Sequence, residues 1–154
     1  GLIYIEVPCL DWICQHRAWF DIYYEHVNYF RLTDIKGLFN VVYEAGHTFG
    51  GQYLYVVADL ASLRSPIRSE TDFFSLPTDF SESLLFTTER FKKNKTRQIV
   101  IWGGSSKGVI FALNLERGGI QIKCAIDINP AKQGRYPSCN CVKHNFTGSG
   151  NAAA

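Results

Sequence analysis

Glu25 and His26 stand side by side within Tyr23-Tyr24-Glu25-His26-Val27-Asn28-Tyr29-Phe30, and no other pair in this chain is so well suited to moving a proton. Imidazole exchanges protons near neutral pH, so His26 can act as a base. A neighbouring carboxylate can orient the ring or share its task, and a phenol can donate to a carbonyl oxygen that is becoming an enolate. The Glu25-His26 pair and its flanking tyrosines offer all three kinds of group. A plainer reading uses the same residues: an aromatic segment packs on a sheet and leaves a solvated Glu-His pair. Residue types alone leave both open.

A second group of residues follows an apolar run. Gly103, Gly104 and Gly108 keep the outer spacing of G-x-G-x-x-G without its middle glycine, and Asp127 lies close to the distance at which an acidic residue accepts from a ribose hydroxyl. Backbone N–H groups around Ser105 and Ser106 could hold a phosphate, with Lys107 adding charge. Lys107 precedes the last glycine and no Ser/Thr follows it, so this is not a P-loop. A tight strand-to-helix turn would use the same glycines. Gly50-Gly51 likewise reads either as a close backbone approach to substrate or as a hairpin turn. Cys139, Cys141 and His144 form C-x-C-x-x-H, which lacks a fourth ligand and zinc-finger spacing, so we assign no metal site.

These residues need elements to position them. Leu2–Val7 is a continuous apolar run ended by Pro8, as in a parallel strand buried on both faces, whose carboxyl end is where α/β sheets place chemistry. Thr33 as N-cap, Ile35, Leu38, Phe39 and Val42 at helical spacing and Gly46 as C-cap predict a helix. That reading puts His47 at a helix end. His47–Phe49 and Gln52–Asp59 then read as strands around the glycine pair. Residues 60–79 read as a linker or surface excursion. A helix follows from Thr78 or Asp79 to about Lys93, with Phe80, Leu84, Leu85, Thr88 and Phe91 on one stripe and Lys92, Lys93 and Lys95 favourable at its C-terminal end. From Arg97 the order is strand (98–102), glycine turn, helix (Val109–Arg117) and strand (120–128), half of a Rossmann-like domain. The divisions expected are 1–59, 60–96, 97–136 and a tail, 137–154.

Composition narrows the class. In 154 residues, 46% are hydrophobic and 19% charged, with a formal charge of +2, which argues against disorder and gives no case for a nucleic-acid partner. No apolar stretch approaches the ~20 residues of a membrane span. Five cysteines, an odd number, suit reduced thiols and a cytoplasmic location. There is no methionine, and Gly1 opens inside what reads as a strand, so a piece of a longer chain is expected.

Three stretches resemble the C-terminal part of the S-adenosylmethionine-dependent sugar C-methyltransferases. Tyr4-Ile5-Glu6-Val7-Pro8 with Phe20-Asp21-Ile22-Tyr23-Tyr24-Glu25-His26-Val27-Asn28-Tyr29-Phe30 is similar to the family's E-V-P and F-D-x-x-Y-x-E-H-x-x-Y-F segments. Gly46-His47 with Gly50-Gly51-Gln52-Tyr53 is similar to the region closing the methyltransferase sheet. Trp102-Gly103-Gly104-Ser105-Ser106-Lys107-Gly108 with Asp127-Ile128-Asn129-Pro130-Ala131-Lys132-Gln133-Gly134-Arg135-Tyr136 is similar to the C-terminal domain's glycine loop and D-x-N/D-P-x-K-Q-G-R/K-Y element. The resemblance covers about residues 1–136.

It implies an incomplete class I methyltransferase sheet, β-α-β-β, followed by a partial Rossmann-like β-α-β unit. It implies a nucleotide-linked 4-keto-deoxysugar as substrate and S-adenosylmethionine as cofactor, in a monomer. His26 would be the base, Glu25 its orienting or alternative acid/base partner and Tyr23 the group on the keto sugar, while Tyr24 and Tyr29 pack. Gly50, Gly51, Gly103, Ser105, Ser106, Lys107, Gly108 and Asp127 would contact substrate. The cofactor-binding half and a zinc-binding region are expected upstream, so this stretch by itself is expected not to bind S-adenosylmethionine and to be inactive in methyl transfer. After Tyr136 the family pattern breaks, and the tail reads as disordered or as a reading-frame slip. The alternative reading is a non-catalytic nucleotide-binding module or an NAD-dependent oxidoreductase fragment, resting on Gly103–Gly108 and Asp127.

Overall fold

The computed structural model describes residues 1–66, 72–94 and 98–132. The expected tail, its cysteines and residues 133–136 lie outside them. The fold is mixed α/β, with a three-stranded antiparallel sheet and a two-stranded parallel sheet. The chain divides into two compact units, Gly1–Phe86 and Thr87–Ala154. No helix among the described residues is long and apolar enough to cross a membrane.

In the first unit the order is β1 (Leu2–Pro8), α1 (Leu10–Gln15), a 3-10 turn at Trp19–Asp21, α2 (Leu32–Lys36), β2 (Val42–Thr48), a turn at Phe49–Gly51 and β3 (Tyr53–Asp59). The sheet order is β1-β3-β2, both pairings are antiparallel, and β3 is the middle strand. The expected double-sided burial of β1 is therefore corrected. Ile3, Ile5 and Val7 pack on the core, whereas Leu2 and Tyr4 are exposed, an alternation typical of antiparallel strands covered on one face. Glu6 marked that outer face in the sequence. It accepts from the hydroxyls of Tyr4 (2.7 Å) and Thr48 (3.3 Å).

The helix expected from Thr33 to Gly46 is also corrected. α2 has only five residues. Asp34 accepts from the Arg31 N–H at 2.7 Å, so the N-cap is Arg31, two residues before the expected Thr33. Beyond Gly37 the β-branched Val41 leads into β2 at Val42, and its partner strand, β3, supplies the backbone bonds a longer helix would have made. Ile35 and Phe39 are buried, and Leu38 and Val42 pack against the same core. The apolar spacing thus marks residues of one core, but a short helix and a strand deliver them rather than one continuous helix. Gly46 and His47 thus lie within β2 and are neither a helix cap nor a helix end; a Cβ at Gly46 would stand 3.0 Å from the Tyr55 ring.

After β3 comes a 3-10 turn at Leu60–Ser62, and part of the expected linker or surface excursion, residues 67–71, lies outside the described residues. α3 (Phe80–Lys92) matches the expected helix, and the division between units falls within it. Phe80 and Thr88 are buried, but Leu85, expected on that stripe, is 65% exposed. In the second unit, β4 (Ile99–Trp102) pairs in parallel with β5 (Ile122–Ile126) through the crossover helix α4 (Ser106–Arg117). Ile101, Ala112, Leu115, Ile120 and Ile122 form its core.

Candidate functional site

The loop carrying Tyr23 and His26 is closed at its base, because Leu10 donates to the Phe30 carbonyl at 2.9 Å and Cys9 bridges to Phe30. Cys9 also donates to the Gln52 carbonyl at 2.9 Å. Both ends of the loop are therefore fixed where β1 finishes, beside the start of β3. The expected placement at the carboxyl end of the first strand holds, although the sheet around it is antiparallel.

Within the loop, His26 N–H donates to the Tyr23 carbonyl at 3.1 Å, a turn that brings side chains three residues apart together. The Tyr23 Oη and His26 Nε2 stand 3.1 Å apart, with ring centroids at 4.3 Å. Burial, with the charges of nearby groups adding to it, pushes the Tyr23 phenol above its usual range. It is therefore a neutral O–H at physiological pH, and it donates to Nε2 when the ring proton is on Nδ1. Glu25 is exposed, and no hydrogen bond joins it to His26. The hydrogen-bond partner of the His26 ring is Tyr23. Tyr24, expected to pack, is 86% exposed.

Three participants escaped the reading of the residue types. Asp21, only 3% exposed, accepts from the Gln52 side chain at 3.2 Å, which ties the loop to the chain just after Gly51. Tyr29, expected only to pack, has a polar role: its oxygen accepts from Tyr23 N–H at 2.9 Å and its proton faces the carbonyls of Asp21 (3.2 Å) and Tyr23 (3.3 Å). Asp21 and Tyr29 were visible as motif positions, but nothing in residue type signalled these bonds. Gly50 and Gly51 have φ of +66° and +93°, the left-handed region that favours glycine. A Cβ at Gly50 would meet open space, and one at Gly51 would stand 3.2 Å from Trp12.

In the second unit the glycine loop also comes together. Gly103, at φ +108°, donates to the Ile126 carbonyl at 2.7 Å. Ser105 precedes α4, and Ser106, Lys107 and Gly108 form its first turn, so the helix begins before the expected Val109. A Cβ at Gly108 would overlap the Gly103 carbonyl oxygen. Gly108 is thus required for close packing of helix on loop. Asp127 accepts from Gly104 N–H at 3.0 Å and from Asn129 N–H at 2.8 Å, so its carboxylate holds the loop's own backbone.

Among the described residues no group of three His, Cys, Asp or Glu side chains could hold a metal ion. Cys9, Cys14 and Cys124 are buried free thiols. Comparison of the chain with protein-family models, with curated proteins and with solved structures finds no match.

Proposed function

We propose that this chain is the substrate-handling part of a C-methyltransferase that methylates a carbon next to a ketone in a nucleotide-linked deoxysugar. The observation that carries the reading is the Tyr23–His26 pair, 3.1 Å apart at the end of β1. The first unit is read as the closing strands of a class I methyltransferase sheet, and β4-α4-β5 as a partial Rossmann-like unit that contacts the nucleotide sugar. The parallel β-α-β order of the second unit supports this reading, as does the strand, helix, strand, strand succession of the first, which carries the additional helix α1 after β1.

The proton next to the ketone passes to His26. In the tautomer that reacts, Nε2 carries the ring proton and donates to the Tyr23 oxygen, so that Nδ1, which has no hydrogen bond among the described residues, accepts the substrate proton and the Tyr23 O–H is left to face the ketone. Tyr23, kept protonated by burial, donates to the ketone oxygen as negative charge builds there. S-adenosylmethionine, when bound, supplies the electrophilic methyl group. No residue described here is assigned to hold it. Gly50 leaves space beside its backbone, which suits approach of a sugar at the β2–β3 turn. The reaction belongs in the cytoplasm and needs neither nucleic acid, membrane nor a second copy.

Enolate formation can be tested without the methyl donor. The chain is incubated with a nucleotide-linked 4-keto-deoxysugar in D2O, and deuterium entering the carbon next to the ketone is followed by NMR. Wild type is expected to accelerate the exchange, and His26→Ala to lose on the order of a hundredfold or more of it. Exchange in wild type no faster than in buffer, or undiminished in His26→Ala, sinks the proposal.

A further inference from the structure

We infer that the Tyr29 hydroxyl is the positioning group that presents the Tyr23 phenol to His26. This rests on the proposed role of that pair, but its geometric core stands apart from it. Loop 21–29 has little regular structure beyond the turn at Trp19–Asp21, so neither a helix nor a strand fixes the direction of Tyr23. Tyr29 does so with one oxygen. It accepts from Tyr23 N–H at 2.9 Å, while its single proton is shared between the Asp21 and Tyr23 carbonyls at 3.2 and 3.3 Å. These bonds grip the backbone on both sides of the Tyr23 Cα, and so set where its side chain leaves the loop. The Tyr29 ring lies 5.8 Å from the His26 ring and closes the other side of the pair. Asp21, reached by Gln52, anchors the same backbone to the β2–β3 turn. A chain of contacts thus runs from Gln52 through Asp21 and Tyr29 to Tyr23 and His26.

Packing and hydrogen bonding by Tyr29 make different predictions for Tyr29→Phe, which keeps the ring and removes the oxygen. The full chain is prepared with 15N-labelled histidine, and two signals are read: the His26 ring nitrogen shifts, which report the tautomer and the bond at Nε2, and cross-relaxation between the Tyr23 and His26 ring protons. In wild type both are expected to report the contact. Tyr29→Phe is expected to lose the cross-peak and to shift Nε2 in the same direction as Tyr23→Phe, with the core methyl signals of Leu54 and Val56 unmoved. A Tyr29→Phe spectrum with the wild-type cross-peak and Nε2 shift overturns the inference and leaves Tyr29 a packing residue. Should Tyr29→Phe not fold, wild type is compared with Tyr23→Phe alone, and an unchanged Nε2 shift then overturns it. The deuterium-exchange test is independent: loss of the contact in Tyr29→Phe without His26-dependent exchange retains the positioning role and removes the chemistry.

Discussion

Arg31 donates to Asp72 through two nitrogens at 2.6 and 2.7 Å and to Asp34 at 2.9 Å, joining the start of α2 to a residue well beyond β3. The hydrogen bonds from Arg31 hold the Asp72 carboxyl below its usual range. A depressed folded-state value means that this pair favours folding above the ordinary Asp range, about pH 4, and that its contribution is lost as the pH falls through the depressed value. Asp72 is exposed, so the effect is modest. Thermal midpoints of wild type and Asp72→Asn are expected to differ at neutral pH and to converge in strong acid; a gap independent of pH would assign the difference to something other than this ion pair. The same scale explains what the site's sequence disclosed. His26 stands out because imidazole is the natural neutral-pH base, and the proposed function gives it that role. Glu25 drew attention by adjacency, yet in a turn it is the residue three positions away, Tyr23, whose side chain meets the ring. Tyr29 reads as apolar bulk until its hydroxyl finds backbone partners, which only the folded loop supplies.

Among the elements, β3 carries the densest core. Leu54, Val56 and Ala58 are fully buried on one face of the middle strand. Leu54→Ala is expected to cost about 2–5 kcal/mol, measured as a shift in the denaturant midpoint, because a cavity opens between β3 and α2. Leu85→Gln, at a position 65% exposed on α3, is expected to change that midpoint by less than about 0.5 kcal/mol. Gly108→Ala is the sharper test of the glycine loop. Its methyl group would overlap the Gly103 carbonyl oxygen, so α4 must move from the loop; the Gly103 and Gly104 amide signals are expected to shift, and unchanged spectra would refute that close packing. β3, β4, α4 and β5 were all legible in the sequence, since run length, β-branching and glycine punctuation agreed there. Where they conflicted, at 33–46, helical spacing misled: four apolar residues share one core although a turn of helix and a strand deliver them. β1 was misjudged because a run of apolar letters conceals the alternation that an antiparallel neighbour imposes.

At the scale of the whole molecule, the order of elements was readable and their pairing was not. Pairing depends on contacts between residues far apart in the chain, such as Leu2 with Asp59, and no local pattern encodes them. The division between the two compact units falls between Phe86 and Thr87, inside α3 rather than in a loop. β3 is the last of its three strands to be made and yet lies between the other two. During synthesis β1 and β2 have no partner to pair with until Tyr53–Asp59 has emerged. The sheet therefore assembles in one late event, and a pause before that point is when the waiting strands are most open to pairing with another chain.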